Sequence, residues 1–262
     1  DVGRDDACCM NRRHDIDALR VIAFGLLILY HVGMFYVTDW GWHVKSAYQA
    51  EWLQLPMRFV NQWRMPLLFI ISGLAVSFVV DRYSPGRLAA RRAWRLLLPL
   101  IFGMAIVVAP QHYTEALSKG VIEPGFGAFM MRYLTFQDFP GQAWQGENEI
   151  TWVWNHLWYL LYVFFYTLVL ILLIAVMRGP LERLRGSVAR LRGIWVIVLP
   201  VAILSIYGFL IYPKFPHISH AFLDDWYAHA MYGTFFFFGF LIGRSEGLWQ
   251  EFSRLRFVTL AG

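Results

Sequence analysis

The chain has 262 residues, 58% of them hydrophobic and only 16% charged, with a mean hydropathy of +0.46. Soluble domains carry charge on about a quarter of their residues, so this composition, gathered into long apolar blocks, excludes an ordinary soluble globule and indicates an integral membrane protein. The net charge of +5 and pI near 9.3 do not indicate a nucleic-acid partner, because the arginines lie in short clusters between apolar blocks.

Residues 1–13 are polar and mixed in charge, without a cleavable-leader pattern, so the first apolar block reads as a retained signal anchor. Cys8 and Cys9 are the only cysteines; neighbours in sequence rarely meet disulfide geometry, and two thiols make no metal cage. Six apolar blocks approach the roughly 20 residues needed to cross a bilayer. They cover residues 18–37, 65–80, 94–109, 153–177, 194–212 and 228–243, and a truncated seventh begins at Phe257. The second and third are short and start earlier if Arg64 and Arg95 snorkel to the interface. The expected fold is all-α, a polytopic transmembrane helix bundle.

Alternate connecting segments hold 17 of the 23 basic residues, whereas acidic residues divide evenly between the two sides. By the positive-inside rule the N-terminus is cytoplasmic and the chain is multi-pass. Two outer segments stand out, residues 40–64 and 110–152. The second is the longest non-spanning stretch, and long loops tend to carry function. Residues 181–192 alternate Leu and Val with Arg and read as a short helix on the cytoplasmic membrane surface. Gly239 and Gly243 form a small-xxx-small pair suited to close helix packing.

The chemistry starts with Arg20 and His31. Eleven helical residues give about 16.5 Å of rise and leave the two side chains about 20° apart. Both face one way, the arginine at a membrane edge and the histidine well inside, where an ionisable ring is by default a functional candidate. A neutral imidazole can accept a proton as a general base, and a guanidinium suits phosphate. The bland alternative is a topology arginine with a satisfied core histidine. Arg91, Arg92 and Arg95 stand at i,i+4 and i,i+3 spacings, so one helical face carries several guanidiniums; they suit either lipid headgroups or the phosphates of a nucleotide-like donor. Asn155, His156 and Trp158 open the fourth block on the outer face, where they are structural or meet a polar acceptor. His217, His220, Asp224, Asp225 and His229 include an H-x-x-H spacing, but in an unpatterned outer loop, and no metal site is assigned.

At this point the residues resemble a family. The run RRHDIDALRVIAFGLLILYHVGMFY, with Arg20 and His31 separated by ten residues, resembles the first helix of membrane-bound acyltransferase family 3. PLLFIISGLAVSF, which contains Ser72, is similar to its second-helix motif, and RRAWRLLLPL to its cytoplasmic Arg-x-x-Arg, carried here by Arg92 and Arg95. NHLWYLLYVFFY and FFFFGFLIGR look like the glucan-biosynthesis branch, whose members are linked to succinylation of periplasmic glucans. The resemblance implies one acyltransferase domain over residues 1–262. It implies an enzyme that uses a cytoplasmic acyl-CoA-type donor as co-substrate, with no permanently bound cofactor. The partner would be a hydroxyl of a periplasmic or cell-surface glycan, and the location the inner membrane of a bacterium. His31 would be the base, Arg20, Arg91, Arg92 and Arg95 would hold the donor, and Asn155, His156, Trp158 and Ser72 would be acceptor-side or structural. Tyr159, Leu160 and Leu161 stand where other branches carry an acid, so no carboxylate partner for His31 is named. The family's usual ten or so spans imply that this chain is truncated at its C-terminal end. The competing readings are a transporter or flippase with His31 and the arginines along a polar path, weakened by the absence of a repeat, and a structural subunit.

Overall fold

The computed structural model describes residues 14–137, 139, 152–216, 218 and 220–261. Cys8, Cys9, His217 and residues 140–151 of the outer segment lie outside the described residues. Among the described residues the fold is helical without named strands, and one isolated bridge joins Val37 to Ala50. The helices are α1 (His14–Tyr36), α2 (Gln54–Ser77), α3 (Pro85–Phe102), α4 (Ala109–Ser118), α5 (Phe126–Leu134), α6 (Trp158–Ala189), α7 (Trp195–Leu210), α8 (Trp226–Ile242) and α9 (Glu246–Ala261).

Four stretches are long and apolar enough to cross a membrane: His14–Tyr36, Glu51–Ser77, Pro85–Ser118 and Asn155–Ala189. Many of their large apolar side chains point outward, such as Val21, Leu29, Leu172 and Val176, an arrangement that suits lipid rather than water. α1 carries Asp15 and Asp17 in its first turn, complementing the helix dipole. At its other end the Lys45 ammonium donates to the Met34 and Val37 carbonyls at 3.0 and 2.5 Å, occupying acceptors the helix leaves open.

Several boundaries differ from the sequence reading. α2 begins at Gln54, not 65, because Met57, Arg64, Met65 and Leu68 share a buried face while Arg58, Asn61 and Gln62 face outward. Arg64 therefore sits within the helix instead of snorkelling from its end. The third span starts at Pro85 and runs on to Ser118. Pro110 has no N–H for the Ile106 carbonyl, and the ladder widens to a π-helix over Gly103–Val108 before α4 resumes. Much of the expected outer loop is thus helix, in α4 and α5. α6 kinks at Met177 (φ −127°, ψ 38°), where the fourth apolar block was read to end. The helix resumes beyond it with Leu181 and Val188 packed on the core and Leu184 outward, so its apolar face serves the protein as much as a membrane surface. α7, with 16 residues or about 24 Å, is shorter than the expected fifth block, whereas the 17 residues of α8 match the expected sixth to within a residue or two at each end. Phe257 lies inside α9, whose first turns are polar.

α2 against α8 is the most extensive helix pairing. A methyl on Gly73 would collide with the Phe236 carbonyl, one on Gly239 with the Ile70 carbonyl, and one on Gly243 with Ser77; the small residues let the two backbones touch. Around this seam Phe69 stacks on Tyr232 with centroids 4.8 Å apart, and Trp158, Tyr162, Tyr166 and Phe236 fill the core.

Candidate functional site

The first space is a cleft of ≈ 380 Å³ between α1, α2, α3 and α6, lined by Arg20, Arg91, Arg92 and Arg95 together with Ser72 and Tyr159. Pro85 opens α3 at its N-terminus, and the helical spacing turns the three α3 arginines toward Arg20 on α1. Arg91 also lies over the Tyr83 ring, 4.6 Å from its centroid. Among the described residues no carboxylate is in ion-pair contact with any of the four. An arrangement of like charges without counter-ions suits a polyanion such as a phosphate group. At the cleft's far end the Tyr159 hydroxyl donates to the Leu68 carbonyl at 3.0 Å and receives the Ser72 hydroxyl at 2.6 Å. Ser72, expected on the acceptor side or in a structural role, belongs to this cleft.

A second cluster of polar side chains gathers around His31 and His43. Its Nδ1 stands 2.7 Å from the Leu27 carbonyl. A carbonyl can only accept, so Nδ1 carries the proton and a neutral ring keeps its lone pair on Nε2. The ring is turned inward, with its centroid 5.7 Å from that of Trp42 and 5.6 Å from that of His156. Asn155 holds a left-handed φ of 40°, which asparagine tolerates better than most residues. Its amide donates to His43 Nε2 at 3.0 Å, and His43 Nδ1 donates to Glu115. Glu115 is 1% exposed and also receives Lys119 at 2.5 Å. His112 lies beside His43 with both ring nitrogens buried and without a hydrogen-bond partner among the described residues, and His156 Nδ1 is likewise bare.

The buried carboxylate Glu115 holds His43, whereas His31 is oriented by its own helix through the Leu27 carbonyl. The sequence pattern does not single out His43, His112 or Glu115, and it places Arg64 only at a membrane edge. His112 and Glu115 on α4 and Lys119 at its C-terminal cap follow i,i+3 and i,i+4 spacing, a signal hidden because hydropathy falls at Pro110. Trp158 is a core residue, stacked on His220 at 4.3 Å. Asp225 and His229 face Tyr162 at 2.9 Å and Tyr166 at 3.0 Å, and His229 Nε2 reaches the Phe222 carbonyl at 2.6 Å; they lace α6 to α8. Burial holds the His220 ring below its ordinary pKa, against the opposing pull of Asp225.

Together these features define a membrane-type helical protein with a basic cleft and, apart from it, a cluster of histidines around a buried glutamate. The chain belongs to acyltransferase family 3, whose acyltransferase domain it matches over residues 13–262. It is 26% identical over 173 residues to glucans biosynthesis protein C of Escherichia coli strain K12, covering 65% of this chain and 41% of that protein. The glucans biosynthesis protein C of strains O1:K1 / APEC and O9:H4 (strain HS) give the same identity and coverage. This chain's match spans about two fifths of the length of these curated relatives. No solved structure is a significant match.

Proposed function

We propose that the chain is the membrane part of an O-acyltransferase that moves an acyl group, succinyl or acetyl, from an acyl-CoA-type donor to a hydroxyl of an outer-face glycan. The observation that carries this reading is the cleft where Arg20, Arg91, Arg92 and Arg95 meet without a carboxylate partner among the described residues. With the N-terminus cytoplasmic, as the basic residues favour, that cleft opens toward the cytosol of a bacterial inner membrane and takes the donor's phosphates. A pantetheine-like arm lying along α1 passes Phe24 and the Tyr159–Ser72 contact toward His31, about 16.5 Å from Arg20 along the helix. His31 Nε2 takes the proton of the acceptor hydroxyl as its oxygen attacks the thioester carbonyl. Anchoring the distant phosphates positions the reacting carbon.

The reading is tested in membranes supplied with labelled acetyl-CoA or succinyl-CoA and a purified glucan. His31→Ala abolishes transfer at unchanged protein level, and the double variant Arg92→Ala/Arg95→Ala raises the donor KM with a smaller effect on kcat. Transfer by His31→Ala at the parent rate removes His31 from the mechanism; an unchanged donor KM in the double variant removes the arginine clamp.

A further inference from the structure

Arg64 is the least expected charge in the molecule. It lies within a span of α2, only 9% exposed, and its Nε and Nη1 are buried without a hydrogen-bond partner among the described residues. Its remaining nitrogen donates to Asn61 Oδ1 at 3.2 Å, and the guanidinium lies over the Tyr30 ring with Cζ 3.3 Å from the centroid. Stacking covers one face of the guanidinium and leaves the N–H groups on Nε and Nη1 unspent. A buried, permanently charged group without an anion is costly to the fold, so its retention asks for a negative charge that arrives from elsewhere.

The position narrows the source. Arg64 precedes Leu68, the cleft's last lining residue on α2, by one turn, and it stands beside Tyr30, the neighbour of His31 on α1. We propose that Arg64 is an anion-binding residue whose free N–H groups receive the oxyanion formed when the acceptor hydroxyl adds to the donor's thioester carbonyl. This rests on the acyl-transfer reading above. In the step, His31 Nε2 takes the hydroxyl proton, the new C–O bond forms, and the carbonyl π pair moves onto oxygen facing Arg64. The oxyanion then re-forms the carbonyl, the C–S bond breaks, and the leaving sulfur takes the proton from His31. Donors aimed at charge that develops in the transition state act on kcat more than on ground-state binding.

The test uses the whole chain in membranes and in detergent, with Arg64→Gln and Arg64→Lys, labelled acetyl-CoA and succinyl-CoA as donors, and thermal unfolding as a second readout. Arg64→Gln is expected to lower kcat about a hundredfold on both donors. Its donor KM stays within threefold of the parent and its unfolding midpoint is unchanged or higher, since an unpaired buried charge has gone. Arg64→Lys recovers part of the rate. A kcat within threefold of the parent, a raised KM at unchanged kcat, a rate loss on succinyl-CoA alone, or a rate loss accompanied by a lowered midpoint each overturns the proposal. A parent chain that transfers from neither donor overturns the acyl-CoA reading itself, and this inference with it.

Discussion

Glu115→Ala removes the carboxylate that His43 and Lys119 share, and its cost follows from the two bonds it accepts. The His43 contact is enclosed, with side-chain exposures of 14% and 2%, and a hydrogen bond to a charged group in such a place is worth about 1.5–3 kcal/mol. The Lys119 partner is 50% exposed, which reduces that ion pair to about 0.5 kcal/mol. Glu115→Ala is therefore expected to cost about 2–3.5 kcal/mol, nearly all of it through His43. For a chain of this size that lowers the unfolding midpoint by about 4–14 °C, measured in detergent by tryptophan fluorescence. Glu115→Gln keeps an acceptor for His43 Nδ1–H and is expected to lose no more than about half as much. Lys119→Ala shifts the midpoint by only about 1–2 °C. Equal losses for Glu115→Ala and Lys119→Ala, or a Glu115→Ala midpoint indistinguishable from the parent, would refute the assignment of the energy to the His43 bond.

Gly239→Ala drives a methyl into the Ile70 carbonyl and should cost about 3 kcal/mol, since the obstacle is backbone and not a yielding side chain. Gly25→Ala, with nothing within 4 Å of the added carbon, should be neutral or stabilising by up to about 1 kcal/mol; the unfolding midpoints of the pair decide it. Glu251 is held below the usual carboxylate range first by Arg254 and then by the Gly193 N–H at 2.6 Å. A depressed folded value means this support is complete above about pH 4.5 and is lost as pH falls through the folded pKa. The acid-side decline of the unfolding midpoint should flatten in Glu251→Gln, and an identical decline in both proteins would exclude the link.

The second span shows why part of the fold was hidden. Residues 54–64 are too polar to register as membrane helix by average hydropathy, yet Met57 and Arg64 share the buried face that Met65 and Leu68 continue. The third span was likewise cut short at Ala109, because a proline and a polar turn look like an exit even when a π-helix carries the ladder across. His31 and the four arginines were legible because periodicity alone aligns residues on one helix. Glu115 and His43 were not, because they meet across 72 positions of sequence, and no local pattern encodes a contact between two segments both read as outer connections.

The sequence by itself determined the solvent this protein lives in, its helical class and the helix faces that carry Arg20, His31, Arg91, Arg92 and Arg95, since composition and a 3.6-residue period are properties of the chain alone. The tertiary structure decided that the α3 arginines and Arg20 enclose one cleft, that Glu115 serves His43 instead of His31, and that Arg64 is buried with N–H groups unspent among the described residues. Those outcomes depend on how helices distant in sequence pack, where glycines at Gly73 and Gly239 let α2 and α8 approach and so fix which side chains face one another.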